Sequence, residues 1–108
     1  MFVELDIFSG RPNPRWQLDA PGAGRLLELH RHLTAGARPS AEPPGLGYRG
    51  FCYELDDAAW RVWNATVISG DRALLDPDRS VERLLLEGLP AEYDDLRSRL
   101  SAEIARAG

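Results

Sequence analysis

Residues 9 to 16 read SGRPNPRW, two arginines and an asparagine interleaved with two prolines and closed by a tryptophan. Arg11 and Arg15 carry planar guanidinium forks that match carboxylate or phosphate oxygens, and Asn13 both donates and accepts. Trp16 adds a broad apolar surface with one N–H donor. Pro12 and Pro14 fix their own φ near about −65°, and Arg11 and Asn13, each preceding a proline, are biased to extended backbone. A stiff loop loses little entropy on binding, so its side chains are preorganised. The structural alternative is that the prolines only block edge pairing, with Trp16 in the core and the arginines in water. Farther along, Tyr48 and Arg49 sit between Gly47 and Gly50. If the sheet sets this pair beside the first loop, Arg11, Arg15 and Arg49 line an anion-binding concavity with Trp16 and Tyr48 as walls. The candidate binding set is therefore Arg11, Asn13, Arg15, Trp16, Tyr48 and Arg49.

Other constellations carry less. Gly45-Leu46-Gly47-Tyr48-Arg49-Gly50 matches G-x-G-x-x-G, but it follows a proline-rich loop and enters a strand, whereas the dinucleotide fingerprint follows a strand and opens a helix. Cys52 could be a nucleophile with His30 or His32 as base; its surroundings in sequence read instead as a small hydrophobe in a strand. His30 and His32, two apart on a helix, point to nearly opposite sides and do not share an ion. His30 is expected at the apolar boundary and His32 in solvent, with no metal site. All thirteen basic residues are arginine, so Schiff-base chemistry and the P-loop lysine have no side-chain amine. No cofactor is expected, and no catalytic residue is assigned.

The bulk properties bound the partners. A formal net charge of −4 over 108 residues, without blocks of either sign, argues against duplex nucleic acid or an anionic membrane as partner. A single cysteine permits no intrachain disulfide and fits a reducing compartment. The opening MFVELDIF places acids where a signal peptide carries basic residues, so a cytoplasmic location is expected. No apolar run approaches the roughly 20 residues of a membrane span. The arginine-rich, lysine-free composition suggests a GC-rich bacterial coding sequence.

The elements that must position these groups follow from periodicity. Residues 2 to 8 alternate as a half-buried strand, and Arg15 to Leu18 alternate again as a returning arm. Leu26, Leu29, His30 and Leu33 form the stripe of a helix over 22–35, capped by Asp19 and closed by Gly36. Residues 36–47 form a flexible Pro/Gly-rich loop. Strands are expected over 48–55 and 60–68, joined at Asp56-Asp57, with a short strand over 72–75. Trp60 and Trp63 have opposite parity, so at most one faces the core. Asp76-Pro77-Asp78 reads as the start of a helix ending at Gly88, and a last helix from Pro90 carries Tyr93, Leu96, Leu100 and Ile104 inward. The sum is one α+β domain over 1–108, a mainly antiparallel sheet of about four or five strands with three helices, two of them C-terminal, packed on one face.

FSGRPNP-x-W, Phe8 to Pro14 with Trp16, together with LGYRGF, Leu46 to Phe51, resembles a group of small uncharacterised bacterial proteins of about this length. The resemblance implies a recurring domain and brings no established activity. The leading expectation is a small non-catalytic binding or accessory protein that recognises a protein or peptide partner, or an anionic small molecule, through the rigid Arg/Trp loop. One alternative is a cofactor-free enzyme whose arginines orient an anionic substrate while Asp6, Glu54 or Cys52 does proton or nucleophilic work. Another is a structural homo-oligomer using an exposed tryptophan and a sheet edge.

Overall fold

A computed structural model describes residues 1–37, 43, 45 and 47–105. Among them, seven strands form one sheet: β1 (Phe2–Leu5), β2 (Arg15–Gln17), β3 (Thr34–Gly36), β4 (Phe51–Leu55), β5 (Ala58–Trp63), β6 (Thr66–Ser69) and β7 (Arg72–Leu75). Their spatial order is β2-β1-β4-β5-β6-β7-β3, and every neighbouring pair is antiparallel. Helices α1 (Ala20–His32), α2 (Ser80–Glu87) and α3 (Asp94–Ala105) complete the chain, with a short 3₁₀ turn at Ala91–Tyr93. Two of the three helices are C-terminal, as expected for this α+β architecture. No helix among the described residues is long and apolar enough to cross a membrane.

Strand parity decides the faces. Val3 and Leu5 pair with Tyr53 and Phe51, which pair with Trp60 and Val62, which leads to Val67. These residues and Trp16 are buried in one cluster with Leu26 of α1, Val81 and Leu85 of α2, and Leu96, Leu100 and Ile104 of α3. The alternate positions, including Glu4, Arg15, Cys52, Glu54 and Arg61, face away from the helices. An antiparallel sheet tolerates this arrangement, with one face packed and one open.

The sheet has seven strands, not four or five, because two short elements were hidden. The run 60–68 is not one strand. Asn64 and Ala65 adopt positive φ of 50° and 66° and form a two-residue hairpin, as Asp56 and Asp57 do at 51° and 62°. Positive φ at both positions is the signature of a type I′ turn, whose twist matches that of paired strands. Likewise, α1 stops at His32 with Leu33 extended, so Thr34 to Gly36 add an edge strand against β7 instead of closing a helix. Most of the proline-rich loop, residues 38–42, 44 and 46, lies outside the described residues, as does Leu46 of the glycine motif.

Asp19 caps α1, accepting from the Gly22 amide at 2.7 Å with Pro21 in the first turn. The start of α2 differs from expectation. Asp76-Pro77-Asp78 forms a turn, and the helix begins at Ser80 after Arg79, whose φ of 55° is left-handed. Asp76 still satisfies the helix start, because its carboxylate accepts from the Val81 amide at 2.8 Å. On α3, Arg97 reaches Asp94 and the Leu89 carbonyl.

Glu82 explains the strained backbone. It is fully buried on α2, yet its carboxylate is saturated with donors. Arg79 Nε and Nη2 donate to its two oxygens at 2.9 and 2.8 Å, Tyr48 Oη donates at 2.5 Å, and the Ala65 amide donates at 3.0 Å. Burial alone would raise this carboxyl. The bonds from Arg79, Tyr48 and Ala65 outweigh it and hold Glu82 below the ordinary carboxylate range. Burial first, and then the neighbouring Glu82 charge, push the Tyr48 phenol up, so it remains a donor.

Replacing one member of such a pair strands a buried charge, so Glu82→Gln is expected to cost about 3–5 kcal/mol in urea unfolding. Because its folded pKa is lowered, the Glu82 contribution is present above the unfolded value of about 4.3 and is lost as pH falls through the folded value. His30 is lowered chiefly by burial, so its contribution is present above about 6.5 and declines as pH drops below that. Stability against pH should therefore fall in two steps on acidification, and His30→Gln should remove only the upper one. Ala65→Gly should stabilise by about 1 kcal/mol, measured as a raised Tm, by relieving a left-handed alanine.

Candidate functional site

The SGRPNPRW loop is built around Asn13. Its Oδ1 accepts from the Ile7 and Phe8 amides at 3.0 and 2.7 Å, and its Nδ2 donates to Glu4 Oε2 at 3.3 Å, with Asp6 Oδ1 at 3.5 Å. The Leu5 amide donates to the Pro14 carbonyl at 2.9 Å and closes the loop's base. Gly10 takes the turn with φ of 83°. With Pro14 buried beneath it, the loop is fixed from inside by one side chain and one ring.

The second motif does meet the first. The Asp6 amide donates to the Gly50 carbonyl and the Arg49 amide to the Asp6 carbonyl, at 2.9 and 2.8 Å. Gly50 permits this approach. Its φ is 107°, and a Cβ there would lie 2.3 Å from the Val62 carbonyl oxygen. Asp6 then gathers the charges: its Oδ2 accepts from Arg61 Nη1 at 2.8 Å and from Arg49 Nη2 and Nε at 3.0 and 3.2 Å. Arg61 Nη1 also donates to the Arg49 carbonyl at 2.8 Å. The Asp6 side chain is 11% exposed, whereas those of Arg49 and Arg61 are 40% and 36% exposed, so the acid lies beneath two accessible guanidinium groups.

The six candidate residues divide by face. Asn13, Arg15 and Arg49 stand on or beside the open face with Glu4, Asp6 and Arg61. Arg11 is at the exposed loop tip, its guanidinium carbon 3.6 Å from the Phe8 ring centroid. Arg15 lies over Phe2 at 5.1 Å. Trp16 and Tyr48 do not wall a recess. Trp16 pairs with Val3, so its parity sends it into the core, edge-on to Phe51 with centroids 6.2 Å apart. Tyr48 is buried with its hydroxyl on Glu82. Asp6 and Arg61 complete the cluster and were absent from the candidate binding set. Their signal was parity alone, since Asp6 continues the outward series of Glu4 and Arg61 alternates with Trp60 and Val62.

The open face sinks into a concavity of about 630 Å³ lined by Phe2, Glu4, Arg15, Cys52, Glu54 and Arg61, among others. Cys52 is half-buried there. Burial pushes its thiol up, with Asp6 and Glu4 adding to the effect and Arg61 and Arg49 opposing it. A protonated thiol is a poor nucleophile. His30 is on the helix side, its Nε2 hydrogen-bonded to Tyr53 Oη at 2.5 Å and its ring edge-on to Trp60, so the sheet separates it from Cys52. His32 is exposed and bonded to Glu28 at 2.9 Å. What the cluster offers is fixed charge: Arg11, Arg15, Arg49 and Arg61 against Glu4 and Asp6, a local excess of two positives in a chain of net −4.

A scan against protein-family models, a search of curated proteins and a search of solved structures each give no match to this chain.

Asn13→Ala leaves two amides without their acceptor and is expected to cost about 1–3 kcal/mol. Hydrogen exchange at Ile7 and Phe8 should accelerate in that variant, while exchange in α3 at Leu100 changes only by the loss of global stability.

Proposed function

We propose that this protein is a small non-catalytic recognition module whose rigid arginine loop holds an acidic segment of a protein partner. The observation that carries this reading is the fixing of the loop by Asn13 while Arg11 and Arg15 keep their charges exposed. Among the described residues neither forms an ion pair with a carboxylate. Each lies against an aromatic ring instead, which restrains the side chain without neutralising it. Preorganised guanidinium groups lose little entropy when a carboxylate arrives, and Arg forks suit bidentate contact.

A compact anionic ligand is the weaker reading. The guanidinium groups of Arg49 and Arg61 already share Asp6. An anion would compete with that carboxylate, whereas an extended acidic chain can reach the uncommitted Arg11 and Arg15 and leave Asp6 in place. The raised Cys52 thiol and its separation from His30 also weigh against the enzyme alternative.

Fluorescence anisotropy with a labelled extended peptide of alternating glutamates tests the reading. Binding should weaken as salt rises through about 0.15 M, where exposed charges are screened. Arg11→Ala with Arg15→Ala should weaken it by at least about tenfold, and an alanine-substituted peptide should not bind. Equal affinity of the native and doubly substituted proteins would sink the assignment.

A further inference from the structure

The concavity of the open face raises a question separate from the loop. Its lining runs from Met1 and Phe2 across β4 and β5 to Ile68, Ser69 and Gly70, and it does not include Arg11, Asp6 or Arg49. Two features mark it as a contact surface. Phe2 is 56% exposed and Ile68 is only half-buried, so apolar area remains in water at the two sides of the depression. Between them stand Arg15 and Arg61 with Glu4 and Glu54. The side-chain charges of this patch cancel although the chain carries −4.

We propose that this face pairs with the same face of a second copy, sheet against sheet, to form a two-fold dimer with the helices outside. An isologous contact demands a surface complementary to itself. A patch with two positive and two negative groups meets that demand, because a two-fold rotation can set the arginines of one copy against the glutamates of the other. A single-sign patch would repel its own image. A strongly acidic or basic partner finds no net charge here, which makes this face unlike the positive loop end. Sheets packed face to face lie about 10 Å apart with their side chains interdigitated, and that spacing would close the Cys52 thiol off from solvent. The inference does not rest on acidic-peptide recognition; Glu4, Arg15 and Arg61 belong both to this face and to the charged cluster, and Arg15 alone is shared with the loop arginines assigned to the peptide.

The native chain in sedimentation equilibrium should show a mass rising with concentration toward twice 12.0 kDa. Ala59 is exposed on this face, so Ala59→Arg should fold normally and raise the dimer dissociation constant by at least about tenfold. Phe2→Arg should do the same, providing a second variant if Ala59→Arg fails to fold by circular dichroism. Ser98→Arg, exposed on α3, should leave association unchanged. Alkylation of Cys52, the only thiol, should slow as native protein is concentrated and become independent of concentration in Ala59→Arg. A monomer at all concentrations overturns the proposal. So does a dimer that survives both face variants with Cys52 still freely alkylated, which would put the contact elsewhere. If the chain is monomeric but binds the glutamate peptide, the dimer fails and the recognition reading stands; a dimer without peptide binding gives the converse.

Discussion

A single carboxylate with no exposure to solvent organises the helix side of the molecule. Glu82 is the meeting point for α2 through Arg79, for the segment before β4 through Tyr48, and for the β5–β6 hairpin through the Ala65 amide. Three segments far apart in sequence thus terminate on one charge, and each satisfies a bonding requirement that burial imposes. Two left-handed residues, Ala65 and Arg79, touch this carboxylate directly. Neither residue type favours that conformation on its own, so the fixed acceptor is what compensates the strain. Arg79 Nη1 extends the network to the Glu103 carbonyl at 3.4 Å and so ties in the end of α3.

The open side has its own acid of similar role and different consequence. Asp6 joins the first loop to the segment before β4, but its two guanidinium partners keep a third or more of their surface in water. Glu82 is committed wholly to structure. Asp6 fixes the positions of groups that remain open to solvent. The sheet lies between them, and the adjacent residues Tyr48 and Arg49 of the segment before β4 reach opposite acids, Tyr48 to Glu82 and Arg49 to Asp6.

Much of this architecture was legible one segment at a time. The Asp19 cap, the strand at 72–75 and the stripe of Leu96, Leu100 and Ile104 are local patterns, and each appears where periodicity placed it, whereas the strand read over residues 2 to 8 ends at Leu5. The misplaced boundaries have a common cause. Asn64-Ala65 lacks the glycine that usually announces a type I′ turn, and the acceptor that stabilises it, the Glu82 carboxylate, comes from α2. Thr34 to Gly36 have no strand pattern of their own and pair because β7 offers an edge. Arg79 interrupts a well-formed helix-start signature because its guanidinium is drawn to Glu82. In the first two cases a partner distant in sequence overrode local preference, and in the third a carboxylate three residues on, buried by the tertiary fold, did so.

By itself the sequence determined the composition of the chemistry: a charge inventory with arginine as its sole basic side chain apart from two histidines, a stiff proline loop, one thiol, and the alternation that assigns each side chain to one face of its strand. Tertiary structure decided which of those side chains meet. Parity sent Trp16 inward from between Arg15 and Gln17, burial claimed Tyr48 for Glu82, and strand order brought Asp6 beneath Arg49 and Arg61. A strand's alternation is a property of its own backbone, but the order in which strands pair depends on long-range contacts that no local pattern encodes.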